Sequence, residues 1–316
     1  MPRAYRSAYP AGSTFKVFVG FAALETGKIT PENHFDCPTD ITIGDHTFKN
    51  WKKKGAGSLN FVEALTQSCN TWFYQVALKI GADPIIDYAH RVGLGKRTGI
   101  PIFAENEGNI PTNEYMLRVH KRVIKKGDVA NMAIGQGDIL ITPLQMAQAL
   151  SVIACSGKFH QTRLVKQVQG LDNRVVAAYP DRLREEIPVA PLVDKTLRKA
   201  LQSVVYDGQG TGHSAAVKSV RVAGKTGTAQ WGPENKQRTA AWFTGFVPAE
   251  NPEYAFAALY EGEPNDNSVH GGSHAAPLIG KVFREVYKLK KARESAAPET
   301  PEDKEDDDDR KKDESD

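Results

Sequence analysis

The sequence predicts an α+β fold, with an antiparallel sheet flanked by helices. Helical patterns dominate the first half of the chain, and three strand-like runs follow one another late, at residues 220–231, 239–247 and 253–261. Each short connection between these runs contains Gly, Pro or Asn, which favours an antiparallel meander. A closing helix at residues 275–292 provides a layer that can pack on this sheet.

The early elements follow from breaks and apolar runs. Pro10, Ala11 and Gly12 interrupt the chain, and residues 13–25 then form a mostly apolar helix that ends at Thr26-Gly27, with Gly at a typical C-cap position. We predict a long loop at residues 28–58, with short extended pieces at 41–43 and 47–51. Further helices are predicted at residues 59–67, 71–80 and 84–92. Several Gly, two Pro and a basic run predict an irregular surface stretch at residues 93–133.

A strong helix begins after Thr142. Thr142 suits the N-cap, Pro143 suits the first helical position, and Gln145 stands where it closes a capping box. Beyond this helix, residues 163–180 predict two short strands and residues 191–206 predict an amphipathic helix.

Charge is distributed unevenly along the 316 residues. The formal net charge is +3, but residues 301–316 hold ten acidic and four basic side chains, so residues 1–300 carry a net +9. We expect a folded domain at residues 1–292 and an acidic, disordered tail at residues 293–316, because the tail has too few apolar side chains to offset its ordering entropy. A mildly basic body favours an anionic partner such as a membrane surface or a cell-wall polymer. No nucleic-acid partner is expected.

No apolar stretch reaches the roughly 20 residues of a membrane-spanning helix, and the first nine residues lack the apolar core of a signal peptide. The three cysteines, Cys37, Cys69 and Cys155, form neither a CxxC pair nor a zinc-finger spacing, and an odd count argues against a full disulfide scaffold.

Ser13 and Lys16 are three residues apart at the start of a helix, which places both side chains on one face. A lysine amine can accept the proton of a neighbouring serine if burial or another cation lowers the lysine pKa. The alternative is a surface serine beside a lysine whose amine reaches water. The apolar residues around this pair favour a buried helix instead.

Ser68 and Asn70 lie two residues apart between two predicted helices. Ser68 has a hydroxyl that can relay a proton, and Asn70 has an amide that can donate to a substrate carbonyl. The alternative is that both residues simply cap the helix that begins near Thr71.

Lys225-Thr226-Gly227-Thr228 lies within a predicted strand. Glycine weakens a strand interior unless something must approach the backbone closely. Alternation places Thr226 and Thr228 on one face and Lys225 and Gly227 on the other. An open edge here can pair with an extended peptide, and the amides of Thr228 and Ser13 can form an oxyanion hole. The alternative is an exposed hairpin strand.

Together, S-x-x-K, S-x-N and K-T-G, in this order and widely spaced, form the motif set of penicillin-binding proteins and class A β-lactamases. The sequence resembles the transpeptidase domain of class B penicillin-binding proteins over about residues 9–290, and most of all the members that serve rod elongation. Further matching words are Tyr9–Lys16 (YPAGSTFK), Trp51-Lys52-Lys53, Gly135-Gln136-Gly137 followed by Thr142–Ala147 (TPLQMA), and Ala241–Phe246 (AWFTGF).

The resemblance implies a penicillin-binding fold and a peptidoglycan D,D-transpeptidase, a class that includes D-Ala–D-Ala carboxypeptidases. Ser13 would attack the D-Ala–D-Ala carbonyl of a stem peptide and form an acyl-enzyme, which an amine from a second stem peptide resolves into a cross-link. Lys16 would be the acylation base, Ser68 would relay the leaving-group proton, and Lys225 would keep the site positive. A separate set would bind substrate: Asn70, Thr226, Gly227 and Thr228.

The resemblance also implies β-lactam antibiotics as ligands, a polymerase partner of the shape and elongation machinery, and the periplasmic face of the inner membrane as the location. It implies no cofactor. Family members carry an anchor, a pedestal region and the first sheet strands before the serine motif, whereas twelve residues precede Ser13 here. We therefore expect an N-terminally incomplete domain whose sheet lacks those strands.

Gly55-Ala56-Gly57 stands where the family often has Gly-His-Gly. In some members that histidine belongs to a zinc site, but Ala56 cannot ligate and Cys37 with Cys69 is too small a set. We expect no metal, and we expect Cys69 to be fixed by packing beside the active site. The sequence leaves two other functions open: a serine β-lactamase, and a non-catalytic fragment or penicillin-binding interaction domain.

Overall fold

The structure, a computed structural model, describes residues 2–296. Its helices, in chain order, are α1 (Arg3–Arg6), α2 (Lys16–Glu25), α3 (Phe61–Thr66), α4 (Asn70–Ile80), α5 (Ala82–Arg91), α6 (Asn113–His120), α7 (Lys126–Ala133), α8 (Pro143–Ala154), α9 (Pro191–Tyr206) and α10 (Ala276–Ala296). Its strands are β1 (Phe35–Cys37), β2 (Asp40–Ile43), β3 (His46–Lys49), β4 (Gly57–Leu59), β5 (Lys158–His160), β6 (Gln167–Gln169), β7 (Val175–Ala178), β8 (Leu183–Glu186), β9 (Ala223–Trp231), β10 (Arg238–Val247) and β11 (Tyr254–Glu261).

The main sheet is the predicted antiparallel meander. Its strand order is β11-β10-β9, so β9 is an edge strand. The central strand β10 is buried on both faces, because alternate side chains enter two different cores. Trp242 and Phe246 pack in a large core with α2, α4 and α8, whereas Phe243 and Val247 pack in a smaller one with α10.

Local sequence signals locate several elements well. The capping box at Thr142 is present: its side chain accepts from the Gln145 N–H at 3.1 Å, and the Gln145 side chain accepts from the Thr142 N–H at 2.9 Å. α9 has the predicted bounds, and β6 pairs with β7 inside the segment predicted to hold two short strands.

The predicted irregular stretch at 93–133 is wrong in part, since it contains α6 and α7. Thr112 caps α6 by accepting from the Tyr115 N–H at 3.1 Å, and Lys121 ends it in the left-handed region at φ +57°. Only Met116 of α6 is buried, so the apolar periodicity that announces a helix is nearly absent.

The loop predicted at 28–58 is also more ordered than expected. It contains the β2–β3 hairpin, at the two extended pieces predicted, and the β1–β4 pair. The second extended piece ends at Lys49, so Trp51 lies beyond it.

α10 runs to Ala296, four residues into the segment assigned to the acidic tail, and residues 297–316 lie outside the described part. None of the helices within residues 2–296 combines the length and apolarity needed to cross a bilayer.

Candidate active site

Ser13 lies on a tight turn that leads directly into α2. Residues Gly12–Phe15 form a 3₁₀ turn and Lys16 begins the α-helix, so the predicted single helix is in fact two segments. Side chains three apart eclipse on a 3₁₀ turn, which keeps Ser13 and Lys16 on one face. The helix buries every residue from Lys16 to Leu24, and the Lys16 side chain itself is 0% exposed. The alternative of a surface lysine is therefore wrong.

Two glycines allow the backbone around Ser13 to lie against its neighbours. Gly12 has φ +55°, its N–H donates to the Gly135 carbonyl at 2.9 Å, and a Cβ on Gly12 would stand 2.9 Å from the Thr228 carbonyl oxygen. Gly135 has φ +67°, and a Cβ there would stand 2.2 Å from the Gly12 carbonyl oxygen. The Gly135-Gln136-Gly137 turn and β9 therefore enclose the serine turn from two sides.

The Lys16 amine lies at the centre of the site. Its Nζ donates to the Ser68 carbonyl at 2.8 Å, to Ser68 Oγ at 3.2 Å and to Asn70 Oδ1 at 2.6 Å. Burial, and secondly the charge of Lys225, hold the Lys16 pKa well below its usual value, while Cys69 opposes this shift. The three donations together use all three hydrogens of the charged form. The neutral amine keeps two hydrogens and has a lone pair, so it can accept a proton where an exposed lysine would not.

Ser68 occupies the turn between α3 and α4 in the left-handed region, at φ +56°, and is 6% exposed. Left-handed backbone is strained for a residue with a Cβ, so surrounding contacts must hold it there. Neither Ser68 nor Asn70 caps α4 through its side chain, because the Asn70 side chain contacts Lys16 instead. The helix-capping alternative for this motif is wrong.

β9 supplies the opposite wall of the site. Lys225 is 0% exposed, and burial lowers its pKa to about 7. Its Nζ donates to the Thr226 carbonyl at 3.1 Å. Thr226 Oγ1 shares a hydrogen bond of 2.6 Å with Thr211 Oγ1, and Thr228 Oγ1 accepts from the Gly271 N–H at 3.2 Å. Thr228 is exposed, but Lys225 and Thr226 are buried, which contradicts a simple exposed hairpin strand.

Gly227 faces the serine turn. A Cβ there would stand 2.8 Å from Thr14 Cγ2 and 3.0 Å from the Ala11 carbonyl oxygen. The close approach predicted from a glycine inside a strand is confirmed, and the approaching group is the turn that carries Ser13.

The two buried cysteines lie beside this site. A hydrogen bond between the thiols of Cys37 and Cys69, the largest influence on both, lowers the pKa of Cys69 to about 6 and raises that of Cys37. Cys69 is 1% exposed, as its expected packing role requires. Ala56 donates its N–H to the Cys37 carbonyl at 2.8 Å. Within residues 2–296, no three His, Cys, Asp or Glu side chains group as metal ligands would.

Three residues contribute to the site without a local sequence signal that predicts their contacts: Asn50, Trp51 and Thr211. Asn50 Oδ1 accepts from the Asn70 N–H, Trp51 Nε1 donates to the Ser68 carbonyl, and Thr211 contacts Thr226. Trp51 belongs to a family-like word, but nothing local assigns it a contact. These neighbours come together only in the folded chain.

The family model of the penicillin-binding protein transpeptidase domain matches residues 2–288. The chain belongs to this family. Among curated relatives of the family, the peptidoglycan D,D-transpeptidase MrdA of Haemophilus influenzae is 36% identical over 298 residues, which cover 89% of this chain and 44% of the relative. The stage V sporulation protein D of Bacillus subtilis is 29% identical over 284 residues, covering 88% and 42% respectively. The chain thus spans less than half the length of these relatives.

Solved structures of the family show the same fold. Penicillin-binding protein PBP2 in a complex with MreC, from Helicobacter pylori, superposes with a TM-score of 0.77 at 31% identity, over 92% of this chain and 51% of that one. PBP2 of Pseudomonas aeruginosa in complex with WCK 5153 gives a TM-score of 0.75 at 30% identity, over 90% and 62%. The predicted α+β penicillin-binding fold is confirmed. The predicted resemblance to the penicillin-binding family is confirmed too, and the solved members that this chain matches include PBP2.

Proposed function

We propose that this chain is a serine D,D-transpeptidase domain that cross-links peptidoglycan. One observation carries the proposal above the others: a buried lysine with a strongly lowered pKa lies one 3₁₀ turn after Ser13 and contacts both Ser68 and Asn70. A neutral amine beside a serine at a helix N-terminus is the arrangement that nucleophilic acyl transfer needs.

Acylation at these residues proceeds by serine attack, oxyanion formation and loss of D-Ala. Ser13 Oγ attacks the carbonyl of the penultimate D-Ala and gives its proton to the Lys16 amine. The oxyanion is stabilised by the backbone amides of Ser13 and Thr228. The C–N bond then breaks, and the proton passes from Lys16 through the Ser68 hydroxyl to the departing D-Ala amine, a path that the 3.2 Å contact between Nζ and Ser68 Oγ favours.

Deacylation reverses the roles. An amine of a second stem peptide attacks the ester, loses a proton to the same relay, and restores the Ser13 hydroxyl as the cross-link forms. The substrate lies along the open edge of β9, where Thr226 and Thr228 bind its carboxylate and Gly227 lets the strand lie close to the serine turn. Lys225 supplies positive charge when substrate binds, because a nearby carboxylate favours the protonated form of its amine. The Asn70 amide donates to a substrate carbonyl.

β-Lactams resemble the D-Ala–D-Ala end, so we expect them to acylate Ser13. The PBP2 relative that is solved with MreC supports a partner from the shape machinery. We further propose that the domain works at the periplasmic face of the inner membrane, where its polymer substrate lies.

Incubation with a pentapeptide that ends in D-Ala–D-Ala, together with an amine acceptor peptide, tests the proposal. Mass spectrometry should find free D-Ala and the cross-linked product. Ser13→Ala should abolish both, whereas Ser219→Ala, at an exposed serine, should leave both unchanged. Absence of D-Ala release with the wild-type chain, or release that survives Ser13→Ala, would contradict the proposal.

A further inference from the structure

The segment Lys49-Asn50-Trp51 is hydrogen-bonded to the turn that carries Ser68 and Asn70. Asn50 Oδ1 accepts from the Asn70 N–H at 3.0 Å, and the Lys49 carbonyl accepts from Asn70 Nδ2 at 3.3 Å. Trp51 Nε1 donates to the carbonyls of both Gln67 and Ser68 at 3.1 Å. The segment therefore contacts this turn on both its backbone and its side chains.

Trp51 acts on the strained residue of the site. Ser68 has φ +56°, and its carbonyl accepts from two donors, the Trp51 indole N–H and the Lys16 amine. The Trp51 side chain is itself 55% exposed, so its ring contributes little to the core. Its directed contact with the catalytic motif is the one that its indole N–H makes.

Asn50 and Lys49 fix the orientation of the Asn70 amide. Asn70 Oδ1 is occupied by Lys16, and one hydrogen of its Nδ2 points to the Lys49 carbonyl. An amide nitrogen has two hydrogens, so one remains for a substrate carbonyl. Asn50, 8% exposed, is held in turn by its own N–H, which donates to the Thr39 carbonyl at 2.7 Å.

We propose that Trp51 and Asn50 are positioning residues for acyl transfer, which hold Ser68 and Asn70 in the geometry that Lys16 requires. This inference rests on the proposed function and deepens it. Neither side chain takes part in a bond-making step: Trp51 acts through the Ser68 carbonyl, and Asn50 acts through the Asn70 backbone.

Trp51→Phe isolates the indole N–H, since it keeps an aromatic ring. We expect the second-order rate constant for acylation by a fluorescent penicillin to fall about tenfold, because the relay residue loses a directed contact. The rising limb of the pH profile should also move to higher pH. With one donor gone, the Ser68 carbonyl becomes a better acceptor for charged Lys16, while Lys225 and Cys69, the titratable groups that act on this amine, are unchanged.

Lys54→Met is the control. It changes an exposed side chain three residues further along the same segment. It should leave the rate constant and the pH profile as in the wild type. Equal rates and equal profiles for Trp51→Phe and the wild type would overturn the inference.

Hydrogen–deuterium exchange gives a readout that needs no acylation. Asn50→Leu removes the acceptor of the Asn70 N–H, and Trp51→Phe frees the Ser68 carbonyl, so both should speed exchange in a peptide that covers residues 66–72. Unchanged exchange in both variants would overturn the inference even if the chain acylates normally. If the wild-type chain is not acylated at all, the proposed function fails. Faster exchange in the variants would still show that this segment holds the turn in place.

Discussion

Lys225 is a fully buried amine whose proton makes the folded state less stable at neutral pH. Burial lowers its pKa from 10.5 to about 7, so between these values the unfolded chain holds a proton that the folded chain has lost. The free energy of unfolding must therefore rise with pH across this window. Below pH 7 the amine is protonated in both states, and this contribution becomes constant.

Lys225→Met removes the titration and keeps a side chain of similar length. Integrating the proton difference from pH 7 to pH 9 gives about 2 kcal/mol for Lys225 alone. The wild-type chain should thus gain about 2 kcal/mol more than Lys225→Met over this range. Lys16 is present in both proteins, and the effect of the Lys225 charge on it falls as Lys225 loses its proton above pH 7.

Urea unfolding followed by tryptophan fluorescence at pH 7 and pH 9 measures the difference, with equal m-values as the check that the same surface is exposed. Lys218→Met, at an exposed lysine, is the control and should follow the wild type. If the wild type and Lys225→Met gain the same stability between the two pH values, Lys225 does not titrate as a buried amine and the reasoning is wrong.

Three further substitutions probe the site. Gly227→Ala places a Cβ 2.8 Å from Thr14 Cγ2. Thermal unfolding should show that the free energy of unfolding falls by about 1–3 kcal/mol, and acylation should be slower. A wild-type melting temperature would contradict the close approach. Cys69→Ala removes a thiolate that raises the Lys16 pKa, so the rising limb of the acylation pH profile should move to lower pH. A shift to higher pH would contradict this effect of Cys69 on the Lys16 pKa. Lys16→Met keeps the volume of the buried side chain but removes the proposed base, so acylation should fall by about 100-fold or more while circular dichroism stays that of the folded chain. Wild-type acylation would exclude Lys16 as the base.

Local signals predicted the elements that depend on nearby residues. The capping box at Thr142 and the Pro191–Tyr206 helix are encoded within a few positions of their own ends. α6 escaped prediction because it buries only Met116, so no apolar stripe marks it. Its N-cap at Thr112 is recognised only from the hydrogen bond that the Tyr115 N–H donates to the Thr112 side chain.

The site was predictable to the extent that its residues come in short motifs. Ser13 is close in sequence to Lys16, and Ser68 is close to Asn70. The order of these motifs along the chain then indicated that they belong to one site. The contacts of Asn50 and Trp51 were not predictable. Their hydrogen-bond partners lie 16 to 20 positions away in the sequence, and no periodic pattern links them. The low pKa of Lys16 likewise depends on burial by distant elements.

We propose Ser13 as the nucleophile that this buried site activates. Intact-mass measurement after incubation with benzylpenicillin, beside Ser13→Ala, tests it most directly. We expect one stable penicilloyl adduct on the wild-type chain and none on the variant. An unmodified wild-type chain, or an adduct that persists on Ser13→Ala, would contradict it, and rapid turnover of the drug would instead identify a hydrolase.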